Sequence, residues 1–172
     1  MSRPKQNREE TLEILAIDGI SPVGEVVLLG IRGYYKNSMG VKGKNDQGMY
    51  DDALFVVSPD VFKSFNFNTD PQKAGQHKAM LDPGLYRFYK GKHKMKYNAL
   101  RPYPEGVKLP CTRDGEKSMC SHTNIHKGGY KDTFSEGCQT IFPDQYSEAM
   151  NLIYSEMNKY KQSTIAYLLK EF

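Results

Sequence analysis

The apolar residues of this chain come in short runs, and run length limits its fold more than any other feature. Residues 24–32 (Gly-Glu-Val-Val-Leu-Leu-Gly-Ile-Arg), 53–57 (Ala-Leu-Phe-Val-Val), 85–89 (Leu-Tyr-Arg-Phe-Tyr) and 163–169 (Ser-Thr-Ile-Ala-Tyr-Leu-Leu) are β-branched, aliphatic or aromatic. That density at strand length predicts strands, the first of them buried. None approaches the apolar run needed to cross a membrane as a helix.

One later segment has a different period. After Pro143, the residues Tyr146, Ala149, Met150, Ile153, Tyr154, Met157 and Tyr160 recur at three- and four-residue intervals. This predicts an amphipathic helix with its apolar stripe turned to the core. Residues 8–17 fit a short helix or a first strand, and Ser58-Pro59-Asp60 has the chemistry of a helix start. The region 90–120, with Pro102, Pro104 and Pro110, reads as strands joined by turns, and Asp82-Pro83-Gly84 as a turn. Residues 33–52 and 66–80 are rich in Gly, Asn, Asp, Lys and Gln and read as exposed connections. The expected fold is α+β: a β-rich single domain over residues 1–172, with a mixed, barrel-like sheet and one amphipathic helix near the C-terminus.

With 24 basic and 20 acidic residues the chain carries only +4. That excess does not argue for nucleic acid, although it suits an anionic partner such as a cell-envelope polymer. Tyr34-Tyr35-Lys36 and the basic, aromatic stretch from Tyr86 to Lys96 lack a recognised nucleic-acid module and read as solvated loops, with His93 in a charged turn. The first ten residues lack the apolar core of a secretory signal, so synthesis in the cytosol without membrane insertion is expected. Of Cys111, Cys120 and Cys138, the simplest pair to close is Cys111 with Cys120, leaving Cys138 free. A cytosolic product would ordinarily keep all three reduced.

The chemistry is concentrated in residues 121–140, where His122 and His126 precede a Gly-Gly turn and a small-residue approach to Cys138. A thiol becomes a nucleophile when a base or a positive field favours its thiolate, and Gly137 permits a tight backbone next to it. Nucleophile, base and backbone donors are the parts of an acyl-transfer site. Glu136, if ionised nearby, would oppose thiolate formation. Two other readings use the same residues. Cys120, His122, His126 and Cys138 are zinc-ligand types, giving a zinc-dependent peptidase, although Lys127-Gly128-Gly129 argues against the helix that would converge the histidines. Alternatively Cys138 is buried and the chain is a non-enzymatic interaction protein.

Residues 124–129 (Asn-Ile-His-Lys-Gly-Gly) with 135–140 (Ser-Glu-Gly-Cys-Gln-Thr) resemble the catalytic signature of the L,D-transpeptidase (YkuD-like) family, and residues 83–88 look loosely similar to the strand preceding that site. The chain as a whole looks like phage and prophage proteins, some in endolysin-like positions. The resemblance implies a cysteine-dependent peptidase, without cofactor or metal, acting on peptidoglycan stem peptides as an L,D-carboxypeptidase, endopeptidase or transpeptidase; Glu136 and Gln139-Thr140, which depart from the family pattern, put hydrolysis first. Cys138 would be the nucleophile and His126 the base, with the amides of Gly137 and Cys138 toward the oxyanion. Ser135, Glu136, Gln139, Gly128, Gly129 and Tyr130 would border the substrate, and Arg87 or Arg113 could meet a carboxylate. A wall-degrading product made in the host cytoplasm would reach the periplasm by holin-dependent release.

Overall fold

Asn7 and Glu10 decide what residues 8–17 become. The Asn7 side chain accepts from the Glu10 amide at 2.9 Å while the Glu10 carboxylate accepts from the Asn7 amide at 3.0 Å. This reciprocal box satisfies two orphan donors and starts helix α1 (Arg8–Ile17). Leu15, with Leu12 and Ile14, packs on Val27, Leu29 and Ile31 of β1 (Val27–Arg32) and on Phe55 and Val57 of β2 (Asp52–Val57). Both strands are therefore covered on both faces, which explains their unbroken apolar character.

A computed structural model describes residues 1–73 and 78–172 of the chain. The other elements are β3 (Phe62–Asn68), β4 (Ala79–Leu81), β5 (Gly84–His93), β6 (Tyr97–Pro102), β7 (Leu109–Arg113), β8 (Glu116–Cys120), β9 (Ile125–Lys127), β10 (Gln139–Ile141), α2 (Pro143–Lys159) and β11 (Thr164–Glu171). Eight strands make a large mixed sheet in the order β1-β11-β5-β6-β9-β10-β3-β2, and β2 pairs back to β1. The ring is narrowest between β6 and β9, where Leu100 and Ile125 form the one paired position. A second sheet, β4-β7-β8, stands beside it. The β-rich α+β single domain with a late helix is the architecture the sequence predicts.

One face of the ring carries Leu28, Leu54, Val56, Phe65, Phe67, Phe88, Leu100, Ile125, Ile141 and Tyr167, and the α2 residues Tyr146, Ala149, Met150, Ile153 and Met157 join the same cluster. Pro143 opens α2, where its missing N–H costs nothing. Gln145 and Asn66 exchange two 2.8 Å hydrogen bonds, and Ser58 donates to Glu156 at 2.6 Å.

Two expectations are corrected. Ser58-Pro59-Asp60 starts no helix: the Ser58 amide donates to Val61 O at 2.9 Å, Val57 pairs with Phe62, and the segment is the turn between β2 and β3. The signal passed over was the alternation of Phe65 and Phe67 with polar neighbours, a strand period. For the same reason residues 66–80 do not all form an exposed connection. Asn66, Asn68, Thr69 and Asp70 are buried, and residues 74–77 lie outside the described residues.

Candidate active site at the narrow seam of the ring

Strand alternation places His126. Its neighbour Ile125 enters the core, so the imidazole projects from the opposite face of β9. β9 and β10 are parallel, with Ile125 opposite Gln139 and His126 opposite Thr140. Parallel neighbours require a crossover, and here it is the loop 128–138, which returns the chain to place Cys138 immediately before β10. Cys138 therefore stands one residue before Gln139, the partner of Ile125. Cys138 and His126 line one cleft of about 450 Å³.

His126 is almost wholly buried, and its Nδ1 lies 2.8 Å from the carbonyl oxygen of Lys127. A carbonyl only accepts, so Nδ1 carries the proton and Nε2 is left as the basic nitrogen of the neutral ring. His93 stacks on this ring with centroids 3.9 Å apart and planes 19° apart. Burial and, after it, His93 and Lys94 drive the His126 pKa down to about 4, against the Lys127 hydrogen bond. Tyr97 borders the same cleft, its hydroxyl 3.4 Å from His126 Nδ1 and its ring under the Lys127 ammonium.

The Cys138 thiol is partly exposed and donates to His122 O at 3.3 Å. Desolvation and then Glu136 push its pKa up to about 11, opposed by the Asn124 amide and Lys94. The resting pair is thus a neutral thiol and a neutral imidazole, and proton transfer to His126 must accompany attack. Cys138 also lines a wider cleft of about 510 Å³ that includes Lys92, Lys94, Arg101 and Arg113 against one acid, Glu136. Its field favours a ligand bearing carboxylates.

The other predicted residues fall into distinct places. The Gly137 amide donates to Ser135 Oγ at 3.2 Å, so it is not available to an oxyanion as the sequence suggested. The Cys138 amide has no protein acceptor among the described residues. Ser135 is buried and braces the loop by donating to Cys138 O at 2.6 Å, so it borders no substrate. Gln139 is likewise removed from the substrate: it is fully buried, accepting from the Tyr167 hydroxyl at 3.0 Å. Glu136 is exposed in both clefts. Gly128 and Gly129 serve close packing, since a Cβ on Gly128 would strike the Tyr50 hydroxyl and one on Gly129 the Phe134 ring. Tyr130 is exposed, with its hydroxyl on Asp144, in a neighbouring cleft shared with Gly128 and Gly129. Arg113 lines the wider cleft; Arg87 lies within 3.5 Å of Thr164.

The zinc set does not assemble. Cys120 is bonded to Cys111, with Cα atoms 5.9 Å apart, and His122 is an exposed turn residue whose carbonyl, not its ring, reaches Cys138. Among the described residues the one converging group of three metal-ligand side chains is Asp51, Asp52 and Asp70. Sequence reasoning missed His93, because nothing in residues 90–96 reveals that β5 ends beside β9. It also missed Tyr97, and its loop assignment for residues 33–52 hid the buried end that carries Asp51 and Asp52.

No family model, curated protein or solved structure matches the chain.

Proposed function

We propose that this chain is a Cys-His peptidoglycan peptidase of L,D-transpeptidase type, an endolysin-like enzyme hydrolysing stem peptides. The observation that carries the reading is the hydrogen bond from His126 Nδ1 to Lys127 O, which leaves Nε2 as the unprotonated nitrogen of a ring that lines one cleft with Cys138. The resemblance of residues 124–129 and 135–140 to the family signature supports the same pair, and the cationic wider cleft suits a peptide rich in carboxylates.

In this mechanism His126 Nε2 takes the Sγ proton as sulfur adds to the carbonyl carbon. The free Cys138 amide stabilises the oxyanion. Collapse breaks the C–N bond, His126 returns the proton to the leaving amine, and a thioester remains. Water, deprotonated by the same nitrogen, adds to the thioester and releases acid and thiol. No helix among the described residues is long and apolar enough to cross a membrane.

The test is digestion of purified peptidoglycan by the wild type, Cys138→Ala and His126→Ala, with mass spectrometry of the released peptides naming the bond. Both variants should fall to background release. Undiminished release by Cys138→Ala would remove the proposal.

A further inference from the structure

The cluster at the end of loop 33–51 has no part in the thiol chemistry. Asp51, Asp52 and Asp70 are each at most 2% exposed, and each places a carboxylate oxygen within 4.8 Å of the others. Among the described residues one buried cation faces them: Arg32, whose Nε is 3.5 Å from Asp70 Oδ1. The donors present are few. Asp52 accepts from the Gly33 amide at 2.7 Å and from the Thr69 amide and hydroxyl at 2.6 and 2.7 Å, and Asp51 Oδ2 accepts from the Asp46 amide at 2.8 Å.

Two acceptors are left over. Asp51 Oδ1, on a fully buried side chain, has no donor among the described residues. Neither has Asn45 Oδ1, also sealed from solvent, although the same amide reaches Asp70 through its nitrogen. Buried acceptors without donors are rare in folded proteins and call for a partner. A rotation of the Asn45 amide would turn its oxygen toward the carboxylates.

We propose that Asp51, Asp52 and Asp70 bind one calcium ion, with Asn45 Oδ1 as a further ligand. Three buried carboxylates against Arg32 leave a charge of −2 that a divalent ion would cancel, with the half-exposed Glu171 also 3.5 Å from Arg32. Ca²⁺ takes about six to eight oxygen ligands in flexible geometry, whereas Mg²⁺ dehydrates reluctantly and is seldom held by an all-protein cage, so a buried set of carboxylates suits Ca²⁺. The ion would fix the end of the loop where Tyr50 donates to Gly129 O at 2.7 Å, and so steady the crossover that leads to Cys138.

The experiment is calorimetric titration of CaCl₂, and separately MgCl₂, into the chelator-treated full chain, with Tm followed in parallel. Expected are one saturable Ca²⁺ site with a rise in Tm, Mg²⁺ binding at least ~10-fold weaker, and Ca²⁺ affinity reduced at least ~10-fold in Asp51→Asn. If Asp51→Asn loses the native circular dichroism, Asn45→Ala in the more accessible loop replaces it, with several-fold weaker binding expected. Neither heat nor a Tm shift up to ~10 mM Ca²⁺, preference for Mg²⁺, or unchanged affinity in the folded variant would overturn the site.

Discussion

His93 and His126 lie face to face, 3.9 Å between ring centroids, one at the end of β5 and the other on β9. Two imidazoles this close cannot both be charged without repulsion, and each also excludes water from the other. His93→Ala should therefore raise the His126 pKa from about 4 toward the ordinary histidine range. Imidazole NMR titration of wild type and variant reads this directly, and an unchanged midpoint would show that the stacking does not tune the His126 ring.

The same depressed value makes a stability prediction. Unfolded His126 takes its proton near pH 6.5, while the folded protein resists it until about pH 4, so the unfolded state binds more protons between these values. Stability is fully present above about 6.5 and declines as pH falls through this window, by at most roughly 3 kcal/mol from this one group. His126→Gln should flatten the acid-side decline relative to wild type in denaturant titrations at matched pH. Parallel curves for the two proteins would contradict it.

The Cys138 thiol is raised to about 11, so at about pH 8 only ~0.1% is thiolate, against tens of per cent for an unperturbed cysteine. Alkylation by iodoacetamide should be roughly 100-fold slower than for a free thiol and should climb with pH without a plateau before about 10. Glu136→Gln removes the neighbouring anion and should speed the reaction. Rapid modification at neutral pH would mean that the thiolate is favoured in a way the charges around it do not produce.

The fold was legible where a residue's neighbours in sequence determine its role. The aliphatic runs of β1, β2 and β11 and the stripe of α2 declare themselves by period, because both reflect burial against a continuous core. Cys138 and His126 were legible as residue types at a suggestive interval, and the pairing of β9 with β10 brings both to the lining of one cleft. The rest depended on contacts distant in sequence. The packing of His93 on His126 is decided by strand order, the removal of Gln139 to the interior by the side of β10 it occupies, and the loss of the Gly137 donor by the hydroxyl of Ser135. Convergence of Asp51 and Asp52 with Asp70 requires β2 and β3 to be paired first.

The Cys111–Cys120 bond ties β7 to β8 directly before residues 121–124 of the wider cleft. For this separation of 9 residues, closing the loop in the unfolded chain should contribute ~2–3 kcal/mol. Reductant, or Cys111→Ser with Cys120→Ser, should lower Tm accordingly. An unchanged Tm would mean that the small sheet unfolds independently of the ring or that the bond does not form in solution.

Gly128 and Tyr50 supply the sharpest packing test. A Cβ on Gly128 would collide with the Tyr50 hydroxyl and lie 3.1 Å from Thr133 O, in a region where Tyr50 is buried. Gly128→Ala should therefore destabilise by ~1–3 kcal/mol through overpacking. Tyr50→Phe deletes the hydroxyl and its 2.7 Å bond to Gly129 O, at a cost of about 1 kcal/mol. Combined, the two changes should cost less than their sum, because the phenyl ring leaves room where the hydroxyl stood; denaturant titration of all four proteins measures the coupling. Strict additivity would mean that the strain of Gly128→Ala falls on Thr133 instead, and that Tyr50 does not hold the crossover loop in place.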